Sequence, residues 1–217
     1  MKYKIVIVVY YNTINMEKSQ AILLDLICKQ QNKEKKQNIW EFSPYKDIVT
    51  LQSNNAGIVG EEFIMETCVK SNISACIDGS KTKQVGGGYG DGIINGKTVE
   101  IKTAHQGSTN YSNFQHELGE CPWKADYVIF IDISPTCFYL TIFKNFDEET
   151  YKGGKKCKPY FPTKQVTWRK GSGAFKLDTT VNINEKNVER GYTMKVIETT
   201  DAIDVGKFIE RIMNNNE

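Results

Sequence analysis

The chain is expected to fold as an α/β protein, a central mixed β-sheet flanked by helices. Three observations carry this expectation. Ile5–Tyr11 is a short apolar run, β-branched and aromatic, as a buried strand would be. Asn54–Ser71 repeats its apolar residues at helical spacing. Residues 125–134, ADYVIFIDIS, are apolar on both faces, as a central strand requires.

The elements follow in order. After the first strand, Asn15–Gln31 predicts a helix with Ile22, Leu23, Leu26 and Ile27 on one side. The run KQQNKEKKQN at 29–38 reads as a solvated helix end or loop, and a charge run of this kind is a weak candidate for DNA contact. The second helix, Asn54–Ser71, can be capped by Asn54 or Asn55. Projected at ~100° per residue, its Ile58, Ile64, Met65, Cys68 and Val69 form one arc, and Glu61 falls inside it. A carboxylate among buried apolar side chains is costly unless it is paired or binds metal, so Glu61 is a candidate functional acid.

A strand is expected near Ile73–Ile77, followed by a glycine-rich turn region. Residues 125–134 and 138–145 predict two strands joined by a turn at Pro135. Residues 151–176 read as loop-rich and basic. GYTMKVIETT predicts a strand, and Asp201–Asn214 a closing helix with Ile203, Val205, Phe208, Ile209 and Ile212 toward the core. No internal repeat is visible. A single domain over 1–217 is expected, with a core at about 54–145 and a basic segment at about 151–176.

Composition excludes several classes. The chain has 217 residues, 40% hydrophobic, with 28 basic against 26 acidic residues, so an anionic partner must be met by a local patch. Six cysteines lie scattered without a C-x-x-C pair, which predicts reduced thiols acting as small core hydrophobes in a cytoplasmic protein. His105, His116 and Cys121 fit no familiar zinc spacing. Ile5–Tyr11 is too short to cross roughly 30 Å of hydrocarbon and lacks a small-residue cleavage site, so neither a membrane span nor a signal peptide is expected.

The chemistry concentrates in residues 89–104, GYGDGIINGKTVEIKT. Gly96-Lys97-Thr98 superficially ends a phosphate-binding loop, but the loop's first glycine would fall on Asp91, and an alternating β-branched run follows where a helix is needed. Asn95-Gly96 between two alternating runs instead signals a two-residue hairpin turn. The register then sets Ile94 opposite Lys97, Ile93 opposite Thr98, Gly92 opposite Val99, and Asp91 opposite Glu100. Lys102 shares the face of Glu100, whereas Val99 and Ile101 point to the core. Two opposed carboxylates ~5 Å apart at their roots repel by roughly 3 kcal/mol at an effective dielectric near ~20. A divalent cation relieves this, and Mg²⁺ favours carboxylates, a backbone carbonyl (here that of Ile101) and water. Lys102 is then placed to orient or deprotonate an attacking water, or to offset charge on a phosphate.

Gly90-Asp91-Gly92, followed after a short strand by Val99-Glu100-Ile101-Lys102-Thr103, resembles the PD-(D/E)XK nuclease superfamily, restriction endonucleases in particular. The resemblance spans about residues 56–145 and departs from the pattern in having Gly90, not proline, before the first acid. Gly60-Glu61 resembles the acidic helix residue that many members place near the metal. The resemblance implies a restriction-endonuclease-like core and Mg²⁺-dependent hydrolysis of phosphodiesters, with Mn²⁺ able to substitute. It assigns metal binding to Asp91 and Glu100, water activation to Lys102, and a further acid to Glu61.

Residues 152–176 carry eight Lys or Arg and no Asp or Glu, interleaved with Tyr160, Phe161, Trp168 and Phe175, a composition suited to a phosphate backbone. Lys155, Lys156, Lys158, Lys164, Arg169 and Lys170 are the candidate DNA contacts, Arg169 also for guanine recognition. The polar stretch 103–126 leaves the catalytic strand, so Gln115 and His116 are candidates near the metal. The leading expectation is a Type II-like restriction endonuclease on double-stranded DNA, a homodimer with a cognate DNA methyltransferase in its host. A repair, mismatch-nicking or junction-resolving nuclease with the same site is one alternative, and a non-catalytic DNA-binding module another.

Overall fold

A computed structural model describes residues 18–78, 90–107, 113–119, 124–144, 165–169 and 174–214. The expected strand Ile5–Tyr11, the glycine-rich turn, Cys121, Cys157 and the candidate contacts Lys155, Lys156, Lys158, Lys164 and Lys170 lie outside the described residues.

The chain divides into two units at Asn38/Ile39. In the first, α1 (Lys18–Gln37) runs farther than expected, taking in the Lys/Gln/Glu run to residue 37. Those residues are good helix formers, and nothing in the run breaks a helix. Ile22, Leu23, Leu26 and Ile27 are exposed.

The second unit is mixed α/β. A 3-10 turn at Lys46–Thr50 precedes α2 (Ser53–Lys70). Strands β1 (Ala75–Ile77), β2 (Gly92–Ile94), β3 (Lys97–His105), β4 (Asn113–Gly119), β5 (Tyr127–Ile133), β6 (Phe138–Lys144), β7 (Gln165–Arg169) and β8 (Ala174–Thr180) follow. The chain continues through α3 (Val181–Glu189), β9 (Thr193–Val196) and α4 (Ala202–Asn214). Among the described residues, six strands form the main sheet in the order β1-β2-β3-β5-β6-β9, and β4-β8-β7 form a second sheet of three. Only the β3–β5 pair is parallel among the described strand pairs. The crossover between those two neighbours passes through β4, which joins the other sheet.

Strand alternation sorts the main sheet into two faces. Val99, Ile101, Ile129, Ile131, Ile133, Leu140, Ile142 and Val196 face the principal core, where α2 and α4 add Ile64, Cys68, Val205, Phe208 and Ile209. The other face carries Phe130, Asp132 and Tyr139 under the small sheet and α3, with Ala104, Phe114, Cys137 and Tyr139 as a lesser apolar cluster. At the start of β3, the Thr98 N–H and hydroxyl both donate to Asp126 Oδ2 at 2.9 Å, and the Asp126 N–H returns a bond to the Thr98 hydroxyl. These bonds pin the mouth of the parallel pair.

Several expected details are corrected. The buried face of α2 is Ala56, Gly60, Ile64, Thr67 and Cys68, while Ile58 and Val69 are exposed. Small residues face the sheet because the helix lies close to it: a Cβ on Gly60 would come within 1.9 Å of Thr103 Oγ1. Hydropathy alone ranks Ile58 above Gly60 and so tilts the projected arc. The N-cap of α2 is Gln52, without a side-chain cap bond, in place of Asn54 or Asn55. On α4, Ile203 is exposed and Met213 is buried instead. Cys68 and Cys137 are buried free thiols as expected of core hydrophobes, but Cys28 and Cys76 are exposed.

Candidate metal and acid–lysine site

The hairpin forms as its sequence dictates. Asn95 and Gly96 both take positive φ, 48° and 77°, and the register pairs Gly92 with Val99, Ile93 with Thr98 and Ile94 with Lys97. The fourth expected pair is replaced. The Asp91 N–H donates to the Val99 carbonyl at 2.6 Å, so Asp91 shares Val99 with Gly92, as the extra residue of a bulge does. Gly90, at φ 92°, makes this possible: a Cβ there would lie 2.1 Å from the Val99 oxygen.

The bulge re-aims the Asp91 side chain. Its Oδ2 accepts the N–H of Ile101 at 2.7 Å, in the place where the next ladder acceptor would lie. Asp91 therefore sits in line with the edge of β3, and Glu100 rises from the face beside it. Both are buried, each 6% exposed. Lys102 Nζ donates to Glu100 Oε1 at 2.6 Å. The side chain of Ile101 belongs to the core, so only its backbone faces the acids.

Electrostatics bind the group into one unit. Burial pushes the Asp91 carboxyl above its ordinary range, against the Ile101 N–H and the Lys102 charge, which pull it down. Glu100 is also pushed up, first by burial; Lys102 opposes this and the charge of Asp91 adds to it. Glu61, half-buried on α2, is raised by burial first and then by Asp91, with Lys102 opposing. The close seat of Gly60 on Thr103 brings α2, and with it Glu61, within range of the charges of Asp91 and of Glu100 on β3. Lys102 is paired with Glu100, Asp91 lies near enough for its charge to act on Glu100, and Glu61 feels the charges of all three, with Lys102 opposing the rise of each acid.

Among the described residues no three His, Cys, Asp or Glu side chains are gathered to enclose a metal. The protein's share of a metal site would be two hard carboxylates and the Ile101 carbonyl, which fits an oxygen-seeking, partly hydrated ion such as Mg²⁺. Two buried acids raised in pKa by burial are the fit: each gains from a positive charge placed between them.

Gln115 and His116 have hydrogen-bond partners outside the acid–lysine group. Gln115 is exposed and donates to Asp178 Oδ1 at 2.9 Å. His116 is buried, with Nε2 2.6 Å from Asp132 Oδ1 and its ring against Phe130. Asn184 Nδ2 donates to Asp132 Oδ2 at 2.7 Å. Sequence reasoning missed this network, although one acid inside the apolar run of β5 was its signal. Arg169 ends β7, paired with Ala174. Among the described residues no helix is long and apolar enough to cross a membrane. No family model matches the chain, and no curated protein is significantly similar to it.

Proposed function

We propose that the chain is a Mg²⁺-dependent endonuclease that hydrolyses phosphodiester bonds of double-stranded DNA, built on a restriction-endonuclease-like core and working in the cytoplasm. The observation that carries this reading is the buried Asp91–Glu100 pair with Lys102 Nζ 2.6 Å from Glu100. A fold gains little from burying two acids unless they serve a cation, and a lysine beside them suits an anionic substrate.

Asp91, Glu100 and the carbonyl of Ile101 would hold Mg²⁺, or Mn²⁺ in its stead, which supplies Lewis acidity and charge neutralisation at a phosphate. Glu100 holds Lys102 in position through their ion pair. The Lys102 ammonium then offsets charge on the attacked phosphate and orients the attacking water. The Ile101 N–H fixes Asp91 before substrate arrives, so little reorganisation is needed. Glu61, its carboxyl raised by burial, is suited to accept a proton from water. The basic segment at 151–176 would meet the phosphate backbone, and cutting both strands makes a homodimer the natural arrangement, with a cognate methyltransferase protecting the host.

Incubation of the purified protein with Mg²⁺ and a fully sequenced phage DNA tests this. Discrete fragments with a common end sequence, absent with Lys102→Ala, are expected. Nicks confined to mismatches or branches would move the assignment to a repair or junction-resolving nuclease. DNA left intact by both proteins, with retained binding, would leave a non-catalytic DNA-binding module.

A further inference from the structure

Between the main sheet and its smaller neighbour lies a second polar group, apart from the acid–lysine site. His116, Asp132, Thr179, Asn184 and Asn187 are each 2% exposed or less. Asp132 is satisfied by His116 and Asn184. The remaining polar atoms are not: His116 Nδ1, Thr179 Oγ1, Asn184 Oδ1, and both Asn187 Nδ2 and Oδ1 are buried without a hydrogen-bond partner. Leaving so many buried polar atoms unmade is expensive, and each needs an explanation.

The topology gathers these atoms. Phe114 pairs with Thr179 and His116 with Leu177, so His116 and Thr179 are diagonal neighbours on the inner face of the small sheet. Asn184 and Asn187 lie three residues apart on α3, on one side of that helix. Asn184 reaches Asp132 and so brings this side of α3 to the same place.

The atoms also define their ligand. With His116 Nε2 bonded to Asp132, Nδ1 is left to meet a further partner, as acceptor in a neutral ring or donor in a protonated one. Asn184 Oδ1 and Asn187 Oδ1 accept, Asn187 Nδ2 donates, and the Thr179 hydroxyl does either. A cation wants acceptors alone, and an anion wants donors alone. A mixed set on all sides suits a small neutral molecule that both gives and takes hydrogen bonds. We propose that the layer between the two sheets encloses ordered water, bound by His116 Nδ1, Thr179, Asn184 and Asn187. The small sheet is then joined to the main sheet through a hydrated polar seam, unlike the mainly apolar core on the other face.

The full chain, labelled with ¹⁵N, tests this at neutral pH. Cross-relaxation between water and the side-chain amide of Asn187 is expected. Thr179→Val, which keeps the Asn187 amide as reporter, should weaken that signal, and a parent protein with no water signal at this amide would overturn the proposal. A crystal structure showing Asn187 or Thr179 turned to bond His116 Nδ1 directly, with no water between, would overturn the proposal. Neither readout depends on nuclease activity.

Discussion

The amide of Ile101 donates to Asp91 Oδ2 at 2.7 Å, so the first acid of the site is tied to the strand that carries the second. Asp91 is held beside Glu100 by backbone geometry, not by the ordinary cross-strand pairing of a hairpin. The chemistry and the stability of the site are therefore separable by mutation.

Lys102→Ala should lower DNA cleavage by about a hundredfold or more, in the range of a lost acid–base group. Glu100 would lose the cation that opposes its burial, so its carboxyl would rise further above the ordinary range. Single-turnover cleavage at saturating Mg²⁺ measures the first effect, and the pH dependence of metal binding the second.

Asp91→Asn should abolish cleavage and yet raise thermal stability at neutral pH without divalent ions. The folded pKa of Asp91 lies above its unfolded value, so the folded state binds this proton more tightly. That contribution stabilises the fold at low pH and is lost as pH rises from about 4 through the raised folded value. Melting curves across pH should show the variant and the parent converging in acid and separating above it. Added Mg²⁺ should close the gap by stabilising the parent alone.

Gly60→Ala should cost about 1–3 kcal/mol, because the new methyl meets Thr103 Oγ1. Thr103→Ala removes the obstructing hydroxyl, which has no hydrogen-bond partner to lose. The double variant should recover part of the loss. A double-mutant cycle by urea denaturation reads the coupling, and additive losses would contradict the packing described.

Asp132→Ala should cost about 1–3 kcal/mol, since it strands His116 and Asn184 in the interior. Chemical denaturation measures it. The Lys102–Glu100 pair is untouched by this change, so the folded fraction should cleave DNA at the parent's rate.

Much of this architecture was legible because single residues force it. Asn95-Gly96 fixed the hairpin and three of its pairs. The apolar run of β5, interrupted only by Asp132, announced an interior strand. The bulge at Asp91 was hidden, since Gly90 reads as a general turn signal until its close approach to Val99 is seen. Strand β4 alternates inward Phe114, His116 and Leu118 with exposed Asn113, Gln115 and Glu117, but the histidine disguises the apolar period. Helix α3 buries Asn184 and Asn187 where an amphipathic helix shows apolar residues, and its clearest mark is the Thr180 hydroxyl accepting the Ile183 N–H. Residues 151–176 read as loop, yet Gln165–Arg169 and Ala174–Thr180 pair as strands of the second sheet.

The strand lengths make the two acids unequal in footing. Glu100 stands on a strand locked along seven residue pairs to β5, whereas Asp91 hangs from a margin of two strands only three residues long. Transient fraying of that margin would release one carboxylate and leave its companion in place. The Ile101 amide, although deep in the sheet, would then exchange with solvent at the tempo of the margin and report when the acid pair comes apart.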